Sequence, residues 1–280
     1  MTGETEATDR GELPPFLVDR LLKSLSLAPS CPVSRESLAD VYRAWCRGIP
    51  FDNVLRRIQI SEGDWQSLRG SDPVEFAQGH VDHGIGGLCA PASGALAALL
   101  RALGFEAQTV LATIAENKGS DPDHATVVVK VEDEAFLLDT VILCERPLPL
   151  DMEGVFRIDD ALHPIVLRRD GEGWLVNYAS AMTRAPASCA VLDRPVNDRG
   201  RTALYRLTQG SPVFRRFNSA LYARTNEPDA VVVVYRTSHV IVRKGRKIER
   251  QIDPDERRRL LVERFGMSPE IVARLPEDAP

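Results

Sequence analysis

The 280-residue chain sets 35 Lys and Arg against 40 Asp and Glu, a formal net charge of −5, with 44% hydrophobic and 27% charged residues. That balance belongs to a soluble globular protein and argues against nucleic acid as the main partner. No apolar run reaches membrane-spanning length, and the acidic, threonine-rich start from Met1 to Glu6 lacks the features of a signal peptide, so a cytoplasmic location is expected. The length exceeds a typical single core and points to two or three packed subdomains. Five cysteines, an odd count without framework spacing, point to reduced thiols.

Leu13 to about His80 reads as mostly helical, with apolar residues at helical spacing at Leu17, Leu21, Leu22 and Leu25 and again at Leu38, Val41, Tyr42 and Trp45. The second run leads into Gly48-Ile49-Pro50-Phe51-Asp52-Asn53. Next, Gly84-Ile85-Gly86-Gly87-Leu88-Cys89-Ala90-Pro91 enters an apolar helical stretch from Gly94 to Leu103. Pro91 falls in the first helical turn, where its missing N–H costs nothing, and Gly104 stops the helix. From Ala107 to about Pro186 the pattern turns to strands, at 108–114, 125–131, 135–142 and 174–178, a β-barrel or strongly curved sheet. Pro195 to Arg201 reads as a polar linker. Strands near 230–235 and 239–242 follow, then a helix from Asp255 to about Phe265 framed by Pro254 and Gly266. The expected class is α+β, with a helical domain at 1–85, a nucleophile helix and barrel at 86–195 and an α/β lid at 196–280.

The chemistry concentrates at Cys89, where a glycine-rich turn becomes a helix. A helix N-terminus offers unpaired N–H groups and partial positive charge, which stabilise a thiolate and later an oxyanion. A base and an orienter are available in one hairpin. His124 opens the β-branched run from Ala125 to Val131, Glu132-Asp133-Glu134 reads as a polar turn, and Asp139 lies in the returning strand. A two-residue loop at Glu132 and Asp133 makes His124 a diagonal neighbour of Asp139 on one face; a three-residue loop puts them on opposite faces. The residues alone leave both registers open.

His80-x-x-His83 followed by Cys89 has zinc-ligand types, but the fourth ligand is missing and ligation would quench the nucleophile, so no metal is expected. His163 and His239 read as surface residues. Arg243-Lys244-Gly245-Arg246-Lys247 reads as a solvated turn whose Arg243, Lys244 and Arg246 are candidates for phosphate contact.

These motifs resemble those of the arylamine N-acetyltransferases, a family of papain-like Cys-His-Asp acyltransferases that has amide synthases among its relatives. Ile49-Pro50-Phe51-Asp52-Asn53 is similar to the family's Ile-Pro-Phe-Glu-Asn, and Gly86-Gly87-Leu88-Cys89 to its Gly-Gly-x-Cys. His124 before a valine-rich strand resembles its base and Leu137-Leu138-Asp139-Thr140-Val141 its triad aspartate, while Phe214 to Gly266 is a weaker match to its lid region. The resemblance implies a cysteine-protease-like core with Cys89, His124 and Asp139 as triad, Phe51 as a pocket wall, and residues after the aspartate, here Ile142 and Leu143, lining the acceptor pocket. It also implies no bound cofactor, an amine acceptor, and an acyl-CoA or acyl carrier protein thioester as donor.

Departures are local. Ile85 stands where the family has arginine. Ala90, Pro91 and Ser93 replace an aromatic residue, a glutamate and an asparagine, and Ile142 and Leu143 replace glycines. They leave the triad intact and bear on the acceptor and the donor, predicting poor use of small simple arylamines and a dedicated biosynthetic acceptor. The competing readings are a cysteine hydrolase or transglutaminase-like enzyme with the same triad, and a non-catalytic binding protein retaining the fold.

Overall fold

In the computed structural model, which describes residues 11–64, 66, 68–114, 122–182, 186–210 and 215–278, the N-terminal third is helical. Met1 to Glu6 and Phe214 lie outside the described residues. Helices α1 (Pro15–Ser24), α2 (Arg35–Gly48), α3 (Val54–Ser61) and α4 (Pro73–His83) are interrupted by the two-residue strand β1 (Phe51–Asp52). Their starts follow from capping. The Ser34 side chain accepts the Ser37 N–H of α2, and Asp72 accepts the Val74 and Glu75 N–H groups of α4, whose first position is Pro73.

Helix α5 (Cys89–Ala102) is buried at every position from Cys89 to Leu100, as an alanine- and leucine-rich helix without a polar face must be. It packs against β2 (Glu106–Ile114) and β3 (His124–Val131). These belong to an eight-stranded antiparallel sheet that also contains β4 (Glu134–Leu138), β5 (Leu148–Pro149), β6 (Val155–Ile158), β7 (Ile165–Asp170), β8 (Gly173–Tyr178) and β9 (Ala187–Val196). Its spatial order is β5-β4-β3-β2-β9-β8-β7-β6. The sheet curls into a nearly closed barrel, and the Trp174 indole of β8 reaches the Leu150 carbonyl just beyond β5 at 3.4 Å.

Beyond the barrel come α6 (Asp198–Gly210), α7 (Arg215–Ser219), and strands β10 (Tyr222–Glu227), β11 (Ala230–Tyr235), β12 (Ser238–Arg243) and β13 (Arg246–Gln251), then α8 (Pro254–Glu263) and α9 (Pro269–Ala273). Strand β1 completes this second sheet by pairing with β10, Phe51 opposite Arg224 and Asp52 opposite Ala223. A second apolar core accordingly joins Val54, Ile58 and Ile85 to Leu221, Val232, Leu261 and Phe265. The expected 196–280 segment therefore shares both a sheet and a core with residues of the first 85.

The structure departs from the sequence reading at several places. The 135–142 strand ends at Leu138, because Asp139 turns its carboxylate back on the Val141 and Ile142 N–H groups. The 195–201 linker is instead the end of β9 and the first turn of α6. His163 and His239 are buried, at 9% and 4% exposure, rather than on the surface. His163 packs beside Asn226 and Glu145, and His239 sits in β12 between β11 and β13.

Candidate active site

The hairpin resolves the register that the residues left open. Glu132 and Asp133 form a two-residue loop, both at positive φ (52° and 63°), with Val131 opposite Glu134 and Val127 opposite Leu138, the backbone signature of a tight hairpin turn. His124 and Asp139 consequently meet. The imidazole Nε2 lies 2.7 Å from Asp139 Oδ2, both residues almost wholly buried. Asp139 Oδ1 accepts the Val141 and Ile142 N–H groups at 2.8 Å each. Burial opposes charge on either partner. Their mutual attraction and hydrogen bond nevertheless hold Asp139 below the usual carboxylate range and His124 well above the usual imidazole range. The Cys89 side chain acts in the same direction on His124.

Cys89 is the first residue of α5, and no side chain caps that terminus. The turn before it is held from β1. Asp52 Oδ2 accepts the Gly86 N–H at 2.7 Å, Oδ1 accepts the Val54 N–H at 2.9 Å, and the Asp52 N–H donates to the Gly87 carbonyl at 3.3 Å. A side chain at residue 86 is impossible here, since a Cβ would fall 1.7 Å from the Pro50 oxygen. Burial pushes the Asp52 carboxyl up to about 6 against the opposing pull of the Gly86 and Val54 N–H groups.

Asn53 locks the same motif to the far end of the chain. Its Nδ2 donates to the Phe217 and Ala220 carbonyls at 2.7 Å, and its Oδ1 accepts the Tyr222 N–H at 2.8 Å. Phe51, Phe217 and Tyr222 consequently form a buried or half-buried edge-to-face triangle with centroids 5.7–6.0 Å apart.

Four further residues brace the triad. The Tyr42 hydroxyl donates to the Asp139 carbonyl at 2.8 Å and accepts the Asp139 N–H at 3.0 Å. Ser93, one helical turn beyond Cys89, donates to the Ala125 carbonyl at 2.8 Å and lies 3.3 Å from the Thr140 hydroxyl, thereby touching the neighbours of both His124 and Asp139. Arg224 donates to the Val141 and Ile142 carbonyls at 2.8 Å each, and Asn226 to the Leu143 carbonyl at 2.7 Å. Tyr42 lies in the second helical run and Ser93 just after the glycine turn, while Arg224 and Asn226 fall within the 214–266 stretch without any residue type that marks them as supports.

The remaining expected site residues are placed as follows. Ile142 and Leu143 are buried in the main core, Leu143 completely and at positive φ (50°). Arg243, Lys244 and Arg246 form the exposed turn between β12 and β13, with Arg243 paired to Asp229 at 3.2 Å. His80 and His83 do not converge on Cys89: the first bonds the Ile85 carbonyl at 3.2 Å and the second the Ser268 hydroxyl at 3.0 Å. Burial pushes the His80 imidazole down to about 4, so it is neutral at pH 7. All five cysteines are free. Among the described residues no helix is long and apolar enough to cross a membrane.

A family model described as N-acetyltransferase matches residues 35–271, which spans the glycine turn, the hairpin and both sheets. The chain belongs to this family. Solved arylamine N-acetyltransferases share its fold. That of Mycobacterium abscessus has a TM-score of 0.78 at 19% identity over 98% of both chains, and that of Salmonella typhimurium 0.76 at 17% over 92% of this chain and 97% of the other. A third, from Bacillus cereus and described as having a Cys-His-Glu triad, has a TM-score of 0.71 at 18% identity over 90% of this chain and 98% of its own. The present family member carries aspartate at the position that bonds its histidine. No curated protein sequence matches significantly.

Proposed function

We propose that the protein transfers an acyl group from a thioester to an amine through an acyl-cysteine at Cys89. The observation that carries this reading is the buried His124 imidazole, bonded at 2.7 Å to Asp139 and influenced by the Cys89 thiol at the start of α5. His124 takes the thiol proton, Asp139 fixes the imidazole tautomer, and the thiolate attacks the thioester carbonyl. Free N–H groups at the uncapped start of α5 suit the oxyanion. The donor thiol leaves, the amine attacks the acyl-cysteine, and Cys89 is regenerated, a ping-pong cycle. The donor is acyl-CoA or the same phosphopantetheine arm on a carrier protein, a choice favoured by the exposed basic turn at Arg243, Lys244 and Arg246. The acceptor is a dedicated biosynthetic amine rather than a simple aniline, a reading supported by Ala90, Ile142 and Leu143 in place of the family's residues.

Incubation with acetyl-CoA should add one acetyl mass that hydroxylamine removes, and added amine should accelerate CoA release. An equal adduct on Cys89→Ala would remove Cys89 from its role. CoA release indifferent to amine would identify a hydrolase. Turnover of simple anilines at about 1–1,000 per second would show that the departures beside Cys89 and Asp139 are neutral.

A further inference from the structure

Cys189 lies beside the triad and takes no part in the acyl-transfer cycle. Ala112 of β2 pairs with His124 on one side and Val191 on the other, and Ile114 pairs with Cys189. The two-residue period of a strand therefore places His124, Val191 and Cys189 on one face. The Cys189 sulfur, a His124 ring nitrogen and an Asp139 carboxylate oxygen all lie within 4.8 Å of one another, and all three residues are buried. Burial pushes the Cys189 thiol up to about 12, so it is a neutral S–H and no rival to Cys89 as nucleophile.

A thiol, an imidazole and a carboxylate form a ligand set for zinc, with three protein ligands and an open fourth position. We propose that His124, Asp139 and Cys189 form an inhibitory site for a soft divalent cation such as Zn²⁺ or Cd²⁺. The charge balance favours it, because a dication against one thiolate and one carboxylate leaves a neutral buried cluster. The atoms need only small side-chain adjustments to reach bonding distances of about 2.0–2.3 Å. Binding breaks the Cys189 S–H bond, whose proton passes to solvent, and the His124 Nε2–H bond, whose proton moves to Nδ1, as S–metal and N–metal bonds form. No electron is transferred. The Asp139 Oδ2 contact passes from the imidazole to the cation, while the Val141 and Ile142 N–H groups retain Oδ1. An imidazole ligated through Nε2 keeps its remaining proton on Nδ1 and cannot accept the thiol proton of Cys89. The cation thus blocks acylation without touching the nucleophile.

The inhibition arm of the test rests on the proposed role of His124, whereas the binding arm does not. Titrating Cd²⁺ into the full-length Cys89→Ala protein should produce a thiolate-to-cadmium ultraviolet band that saturates at one equivalent and is competed by Zn²⁺. The band should vanish in Cys89→Ala/Cys189→Ala, with circular dichroism confirming the fold and Cys189→Ser replacing alanine if that variant unfolds. A band that survives replacement of Cys189, or no band in Cys89→Ala, overturns the site. With Cys89 present, Cys189→Ala should raise the Zn²⁺ midpoint for inhibition of CoA release about 10–100-fold. An unchanged midpoint would place zinc on Cys89 and overturn the inhibitory mechanism.

Discussion

The turn before Cys89 and the turn after Asp139 do the same job by opposite means. Each is an irregular segment that presents one member of the triad, and each is held by a side chain from the sheet that joins β1 to β10–β13. The glycine turn directs an N–H outward, so its clamp is an acceptor, Asp52 on Gly86. The post-aspartate turn spends its Val141 and Ile142 N–H groups on the Asp139 carboxylate, which leaves carbonyls outward. Its clamps are donors, Arg224 and Asn226. Because β1 pairs directly with β10, Phe51 opposite Arg224, acceptor and donor clamps stand on adjacent strands. The polarity of an irregular turn thus dictates the residue type that must support it.

The sharpest test of the post-aspartate side is Asp139→Asn. The amide cannot hold the imidazole in the productive tautomer, and acylation measured as CoA release should fall about 10³–10⁴-fold with little loss of fold. A folded Asp139→Asn protein acylating at near wild-type rate would remove Asp139 from the machinery. Arg224→Gln should come next. It strips the donors from two buried carbonyls, so a loss of about 2–4 kcal/mol of stability should accompany a fall in the acylation rate larger than any rise in KM for the donor. A normal rate in a destabilised protein would reduce the clamp to a structural role.

On the glycine-turn side the clamp is itself titratable. The Asp52 carboxyl is raised to about 6 in the fold against an ordinary value of 3.8, so its stabilising contribution is complete below pH 4 and is lost as pH rises through 6. Relative to Asp52→Asn, the wild type should therefore lose a few kcal/mol of stability over that window and change little above it. Denaturation midpoints across pH 4–8 read this directly, and a constant difference would show that Asp52 titrates normally. Ser93→Ala should have the smallest effect, about 1 kcal/mol for its lost hydrogen bonds. A loss of activity far beyond that would make Ser93 a positioning residue for the whole triad.

Local signals were the legible ones. The cysteine after two glycines, the β-branched run after His124 and the polar turn at Glu132 and Asp133 lie within a few residues of what they determine. The hairpin parity left two choices, and only the structure shows the positive-φ pair that selects one. Arg224, Asn226 and Tyr42 were invisible as triad supports because their partners are backbone atoms 82 to 97 residues away, which no side-chain pattern marks. His163 and His239 were misread for a related reason. Polar neighbours in sequence suggested solvent, whereas Asn226 of β10, 63 residues away, packs on His163, and β12 is an inner strand with β11 and β13 on either side of His239.

The 15-residue separation of His124 and Asp139 has a consequence for how the protein comes into being. Short-range hairpins close within microseconds, while contacts that span most of a chain must first overcome loop-closure entropy. His124 and Asp139 can thus pair as soon as the ribosome has released residue 139. Asn53, by contrast, reaches Phe217 and Ala220 across 164 and 167 residues, and the motif carrying the Asp52 clamp cannot settle until those residues emerge. Pulse-labelled hydrogen exchange during refolding should protect the hairpin amides before Gly86 and Tyr222. A chain still under synthesis then holds His124 and Asp139 paired, two of the three residues, while the turn that leads into Cys89 waits for the polypeptide to be nearly complete.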